Sequence, residues 1–155
     1  MRKGQTLGFL DEPNNALNYF EQALKVNNRN IDALNYKGIA LKHMGDFKSS
    51  IKVFKILVEA EPNNPWAWLQ IGLNYKELKN FQKAIESFNN VLDIDPNFIL
   101  GLLEKEVVLG LNKQYKEALV CFDDVLIKDP NNPDALHFKE ITLEYINQEN
   151  KSINL

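Results

Sequence analysis

The sequence predicts an all-α fold of antiparallel helix pairs stacked side by side, and three observations carry that prediction. Residues recur at a spacing of 34: Phe20, Phe54, Phe88 and Phe122 form one column, Ala16, Ser50, Ala84 and Ala118 a second, and Ala23, Leu57, Val91 and Val125 a third. Each period divides into two amphipathic runs of helical spacing joined by a short polar turn. Pro62, Pro96 and Pro130 then recur in register and stop the second run, with Asn28 in the corresponding place of the first period. Two short helices cannot bury both of their apolar stripes alone, so the unit requires copies of itself alongside.

The first period starts inside the pattern. Gly4 stands in the column of Gly38 and Gly72, so Met1 enters partway along a first helix that ends near Leu10, and the chain reads as a piece of a longer array rather than one with a short natural capping helix. Pro13 opens the second helix, where its missing N–H is no loss. That helix carries Ala16, Leu17, Phe20, Ala23 and Leu24 at helical spacing to about Val26. In the second period, Ile31 to Asn64, Asn30 or Asp32 can cap the first helix and Gly45-Asp46 makes the turn. Ile51, Phe54, Leu57 and Val58 form the buried stripe of its second helix.

The third period, Pro65 to Phe98, is the most regular. Trp68, Ile71, Gly72 and Tyr75 share one helical face, Lys79-Asn80 turns the chain, and Phe81, Ala84, Ile85, Phe88, Val91 and Leu92 line the second helix. The fourth period, Ile99 to Asn132, departs from it, because Glu106 fills the column held by Gly4, Gly38 and Gly72. A carboxylate where two helices cross must reach solvent, pair with a cation such as Lys105, or push the helices apart. Gly101 and Gly110 lower the intrinsic helicity of the same helix, which is expected to be displaced or mobile. The fifth period supplies one helix, Pro133 to about Gln148, because Glu149 falls where Phe47, Phe81 and Tyr115 begin the other second helices. It reads as a cap, with residues 149–155 as a frayed tail. The expectation is nine helices, two in each of the first four periods and one in the fifth, and no strand.

Trp68-x-x-Ile71-Gly72-x-x-Tyr75, Ala84-x-x-x-Phe88 and Pro96 resemble the tetratricopeptide-repeat (TPR) family, and the resemblance extends over nearly the whole chain. Other copies are looser: Leu34, Leu102 and Leu136 replace the tryptophan, and Leu41, Leu109 and Leu143 the tyrosine. The resemblance implies an α-α superhelix of about 4.5 repeats within a single domain, with a concave groove lined by the first helix of each pair. It also implies protein binding rather than catalysis.

Composition restricts the alternatives. The chain has 155 residues, 45% of them hydrophobic, as is ordinary for a soluble domain. A formal charge of −3 gives no electrostatic reason to expect a nucleic-acid partner, and an RNA-binding helical repeat would need a basic groove. A single cysteine, Cys121, excludes an internal disulfide framework and reads as a small buried apolar residue. No run approaches the roughly 18 apolar residues of a membrane span, and the N-terminus does not read as a signal peptide, so a cytoplasmic location follows by default. His43 and His137 lie in different repeats with no carboxylate partners indicated, and Asp123-Asp124 read as solvated charge. No phosphate loop, nucleophile elbow or HExxH occurs, so neither an enzyme nor a cofactor or metal is expected.

In the family, the ligand-facing places are the second, fifth, ninth and twelfth residues of each first helix, with some use of the sixth. The resemblance therefore implies a lining of Asn35, Tyr36 and Ile39, then Trp66, Leu69 and Leu73, then Leu100, Leu103 and Val107, and finally His137, Phe138 and Ile141. This lining is apolar, whereas Lys48, Lys52, Lys83, Glu86, Lys116 and Glu117 mark the opposite face. An amphipathic helix or extended apolar peptide fits it, with Trp66 as anchor. A competing reading packs several of these residues between neighbouring first helices.

The family's two-carboxylate clamp for chaperone C-terminal tails needs Lys and Asn, then Asn, then Lys and Arg on successive first helices. From the second repeat the places hold Asn35 and Ile39, Gln70, then Leu100 and Glu104; from the first, Met1 and Gln5, Tyr36, then Trp66 and Gln70; from the third, Leu69 and Leu73, Glu104, then Asp134 and Phe138. No register fits, so chaperone tails are disfavoured. The functional expectation is a peptide- or protein-binding adaptor or scaffold module, with self-association as a homo-oligomer the alternative.

Overall fold

A computed structural model describes residues 13–153, which form eight α-helices and, among the described residues, no strand. The helices are α1 (Pro13–Val26), α2 (Ile31–His43), α3 (Phe47–Ala60), α4 (Pro65–Glu77), α5 (Phe81–Ile94), α6 (Ile99–Leu111), α7 (Tyr115–Lys128) and α8 (Pro133–Ile153). The first of the nine expected helices, ending near Leu10, lies outside the described residues. The other eight begin where the period puts them. Two compact units divide between Asn80 and Phe81.

In the first unit, α2 packs against α1 and α3, and α3 against α4. Its core joins Leu34 and Leu41 of α2 to Ile51, Phe54, Leu57 and Val58 of α3 and to Ala67 and Ile71 of α4. Burying each large member stabilises the unit by about 1.5–3 kcal/mol. Asn30 and Asn64 cap α2 and α4 by accepting from the N–H groups of Ala33 and Ala67 at 3.0 and 3.1 Å, which settles the choice between Asn30 and Asp32. Gly45 takes φ of 78° in the turn after α2, and the Asp46 N–H donates to the Leu41 carbonyl at 2.9 Å, closing a Schellman turn. Lys79 holds the same place after α4 with φ of 55°, a left-handed conformation unfavourable to a side chain.

A buried polar bridge ties three helices of this unit together. The Ser50 hydroxyl on α3 donates to the Gly38 carbonyl on α2 at 2.8 Å. The Asn74 amide on α4 donates to the Ser50 oxygen at 2.9 Å and to the Gln70 carbonyl at 2.8 Å. Each hydrogen is directed to an acceptor out of water, where an unmade bond would cost more than a made one contributes.

In the second unit, α6 packs between α5 and α7, α8 lies against α7, and α8 also touches α6. Phe88, Val91, Phe122 and Val125 are all no more than 1% exposed. Gly101 is required by the approach of α5, since a Cβ there would come within 2.7 Å of Val91 Cγ1. Phe98 stands in the capping column of Asn30, Asn64 and Asn132 and makes no side-chain cap bond, yet α6 keeps the 13 residues of α2 and α4. The expected tail is corrected: α8 continues past Gln148 to Ile153. That expectation rested on a missing partner helix, but no Pro or Gly follows Pro133 to stop this one.

Candidate interaction surface

The first helices carry the residues expected to meet a ligand, and the structure sorts them into three groups. Trp66, Leu100 and His137 are exposed, the first two by 56% and 41%. Asn35, Tyr36, Ile39, Leu73, Leu103, Val107, Phe138 and Ile141 are half-buried. Leu69 is a correction: at 1% exposure it belongs to the core and offers nothing to a ligand. An apolar residue on a short first helix can serve the core or the open face, and one turn of register decides which.

Two half-buried aromatics are already engaged on the phenylalanine column. The Tyr36 ring stacks on Phe20 with centroids 5.8 Å apart, and Phe138 stacks on Phe122 at 6.5 Å. The His137 ring is tilted against Phe138 at 5.6 Å. Packing and exposure are therefore mixed residue by residue.

A polar strut also lies here that the apolar reading missed. The Lys42 ammonium on α2 donates to Gln70 Oε1 on α4 at 2.7 Å. Lys42 and Gln70 hold the twelfth place of α2 and the sixth of α4, both among the ligand-facing positions, so their places in the pattern were the signal. Lys48, Lys52, Lys83, Glu86, Lys116 and Glu117 are exposed on the second helices, as expected.

The irregular residue of the fourth repeat takes neither of the first two routes foreseen for it. Glu106 is fully buried, and neither carboxyl oxygen has a hydrogen-bond partner. Burial pushes its carboxyl up to about 8, the negative Asp124 adds to the rise, and Lys105 opposes it. Burial likewise pushes the Cys121 thiol up, which makes it an unreactive side chain. Glu106 forms part of the wall of a cavity of about 360 Å³ bounded by α6, α7 and α8. No group of three or more metal-ligating side chains occurs among the described residues, and no described helix is long and apolar enough to cross a membrane.

Two models of the tetratricopeptide repeat match the chain, one over residues 65–98 and one over residues 1–30. No curated protein sequence matches it. Among solved structures, a crystal structure of MamA protein superposes with a TM-score of 0.85 at 14% identity, covering 97% of this chain and 82% of that one. MamA from Desulfovibrio magneticus RS-1 gives 0.77 at 23% identity over 85% of this chain and 75% of that one. YrrB, described as a TPR protein with an unusual peptide-binding site, gives 0.77 at 19% identity over 93% and 74%. At these identities the likeness is one of fold.

Proposed function

We infer that this chain, which belongs to the tetratricopeptide-repeat family, is a non-catalytic protein-interaction module whose first helices receive an apolar or amphipathic segment of a partner. The observation that carries this reading is Trp66, a tryptophan left 56% exposed at the second position of α4. A large aromatic in water is the residue type that most often dominates binding energy. Ile39 and Leu73, half-buried on the first helices of the same unit, and Leu100, Leu103, Val107 and Ile141, exposed or half-buried on those of the second, supply further apolar surface. The unusual peptide-binding site of YrrB, a TPR protein of similar fold, supports a peptide as the form of ligand.

The test is selection of random displayed peptides on the immobilised full chain. Recovered sequences should be rich in apolar residues at helical or alternating spacing. Recovery of acidic C-terminal tails alone, or of no consensus, would refute the reading.

Self-association is a second reading with its own support. Leu136 and Leu143 stand in the columns of Leu102 and Leu109, which are 6% and 3% exposed, yet they are 49% and 43% exposed on α8. Light scattering over a hundredfold range of concentration should show growth in mass if this face joins copies, and constant monomer mass otherwise.

A further inference from the structure

In the first unit the space between α2 and α4 is spanned by Lys42 and Gln70, whose side chains meet at 2.7 Å. Two periods later the same columns hold Gly110 on α6 and Phe138 on α8. Glycine has no side chain and phenylalanine no polar group, so the strut has no counterpart. The cavity of about 360 Å³ lies there instead, with both residues on its wall.

Packing does not demand Gly110. A Cβ on Gly38 or Gly101 would meet Phe54 or Val91 at 2.6 or 2.7 Å, whereas one on Gly110 would meet nothing within 4 Å. Nor does backbone conformation, since Gly110 lies within α6 and its φ is not positive. The last turns of α2 and α4 place Lys42 and Lys76 in this column, the charge that a helix C-terminus favours. The last turn of α6 carries no basic residue and has in this column a residue of low helicity. What the substitution provides is open volume on the cavity side.

The wall selects an occupant. Phe122, Phe138, Ile141 and the rings of Tyr115 and Tyr145, stacked at 5.9 Å, make it apolar. Glu106 adds no charge and no accessible polar atom, because its carboxyl oxygens are buried and burial keeps the group protonated at neutral pH. Phe122 is 1% exposed, while Leu111 and Tyr145 are 55% and 51% exposed, so the cavity runs from solvent to the phenylalanine column. Lys113 joins the wall from the turn between α6 and α7 and is exposed. Among the described residues of the wall it carries the one charge at neutral pH, and its ammonium has no hydrogen-bond or ion-pair partner among them. Cavities of this volume, apolar with a few polar groups at fixed places, are those that hold small molecules.

We propose that this cavity binds a medium-chain carboxylate, its alkyl tail lying between α6 and α8 and its negative head beside the Lys113 ammonium at the mouth. A positive head would be repelled by Lys113, and a neutral one would leave it unpaired. The site does not rest on the peptide reading, although Val107, Phe138 and Ile141 serve both. A chain that selects no peptide still binds the acid.

The experiment is calorimetric titration of the full chain with octanoate, octanol and octylamine, each kept monomeric in solution. Octanoate should bind about three- to fivefold tighter than octanol, the size of one exposed ion pair, and octylamine more weakly than either. Lys113→Gln should bring octanoate down to the affinity of octanol and leave octanol unchanged. Gly110→Leu places a side chain in the open volume and should weaken both at least tenfold, with a melting temperature that holds or rises because leucine is the better helix former. If Gly110→Leu does not fold, the ranking of the three probes on the wild type and on Lys113→Gln still decides. A short peptide with a free C-terminal leucine offers the same chemistry from a partner. Its binding without that of octanoate would assign the cavity to a partner's terminus and overturn the proposal. Equal affinity for octanoate and octanol, tightest binding of octylamine, a folded Gly110→Leu variant of undiminished affinity, or no binding of any probe would overturn it as well.

Discussion

The Phe54 ring lies so close to Gly38 that a Cβ on the glycine would come within 2.6 Å of the ring's Cε2 and Cζ atoms. At this pair an aromatic ring of a second helix fills the gap left by a missing side chain on the first. Phe54→Ala should cost about 3–5 kcal/mol, since it empties that gap. Phe88→Ala, at an equally buried place in the second unit, should cost a similar amount. Lys52→Ala on the exposed face of α3 should change stability by about 0.5 kcal/mol or less. Denaturant midpoints measure the difference, and equal shifts for the two classes would mean that the buried face is wrongly assigned.

Lys79 and Gly45 occupy equivalent left-handed positions with φ of 55° and 78°. Lys79→Gly should therefore stabilise the chain by about 0.5–1 kcal/mol, whereas Lys52→Gly in the interior of α3 should destabilise it by about 1 kcal/mol. The same substitution would act with opposite sign at two exposed lysines. Destabilisation at both positions would contradict the turn geometry.

Ser50→Ala converts the polar bridge of the first unit to the alanine found in the second. It strips the Asn74 amide and the Gly38 carbonyl of a buried partner and should cost about 1–3 kcal/mol by thermal denaturation. A neutral effect would mean that the bridge contributes no net stability.

These residues also show how far the sequence could be read. The 34-residue spacing located the turns, the buried columns and the first residues Phe47, Phe81 and Tyr115 of three second helices, because each is set by local chemistry repeated in register. The split of the first-helix residues was less legible. Leu69 and Leu73 are one turn apart and chemically identical, yet only the former is fully buried. The state of Glu106, buried with neither oxygen partnered, is set by packing between helices that no single period displays. The length of α8 was misjudged because a missing partner helix was taken for a helix stop.

The carboxyl of Glu106, raised from an ordinary 4.5 to about 8, links stability to pH. A group bound more tightly to its proton in the folded state contributes fully below about pH 4.5 and loses that contribution as pH rises towards 8. The limiting slope is about 1.4 kcal/mol per pH unit. The melting temperature should fall between pH 5 and 8, and Glu106→Gln should flatten that fall. An identical pH profile in the variant would show that the carboxyl titrates normally.

The most direct test of the interaction surface is the affinity of the selected peptides for the double variant Trp66→Ala, Leu103→Asp, measured by calorimetry beside circular dichroism and melting. The expected result is at least a tenfold loss of affinity, with helical content and melting temperature nearly unchanged. Unchanged affinity would contradict the role of these faces, and a variant that unfolds would assign the two residues to packing instead.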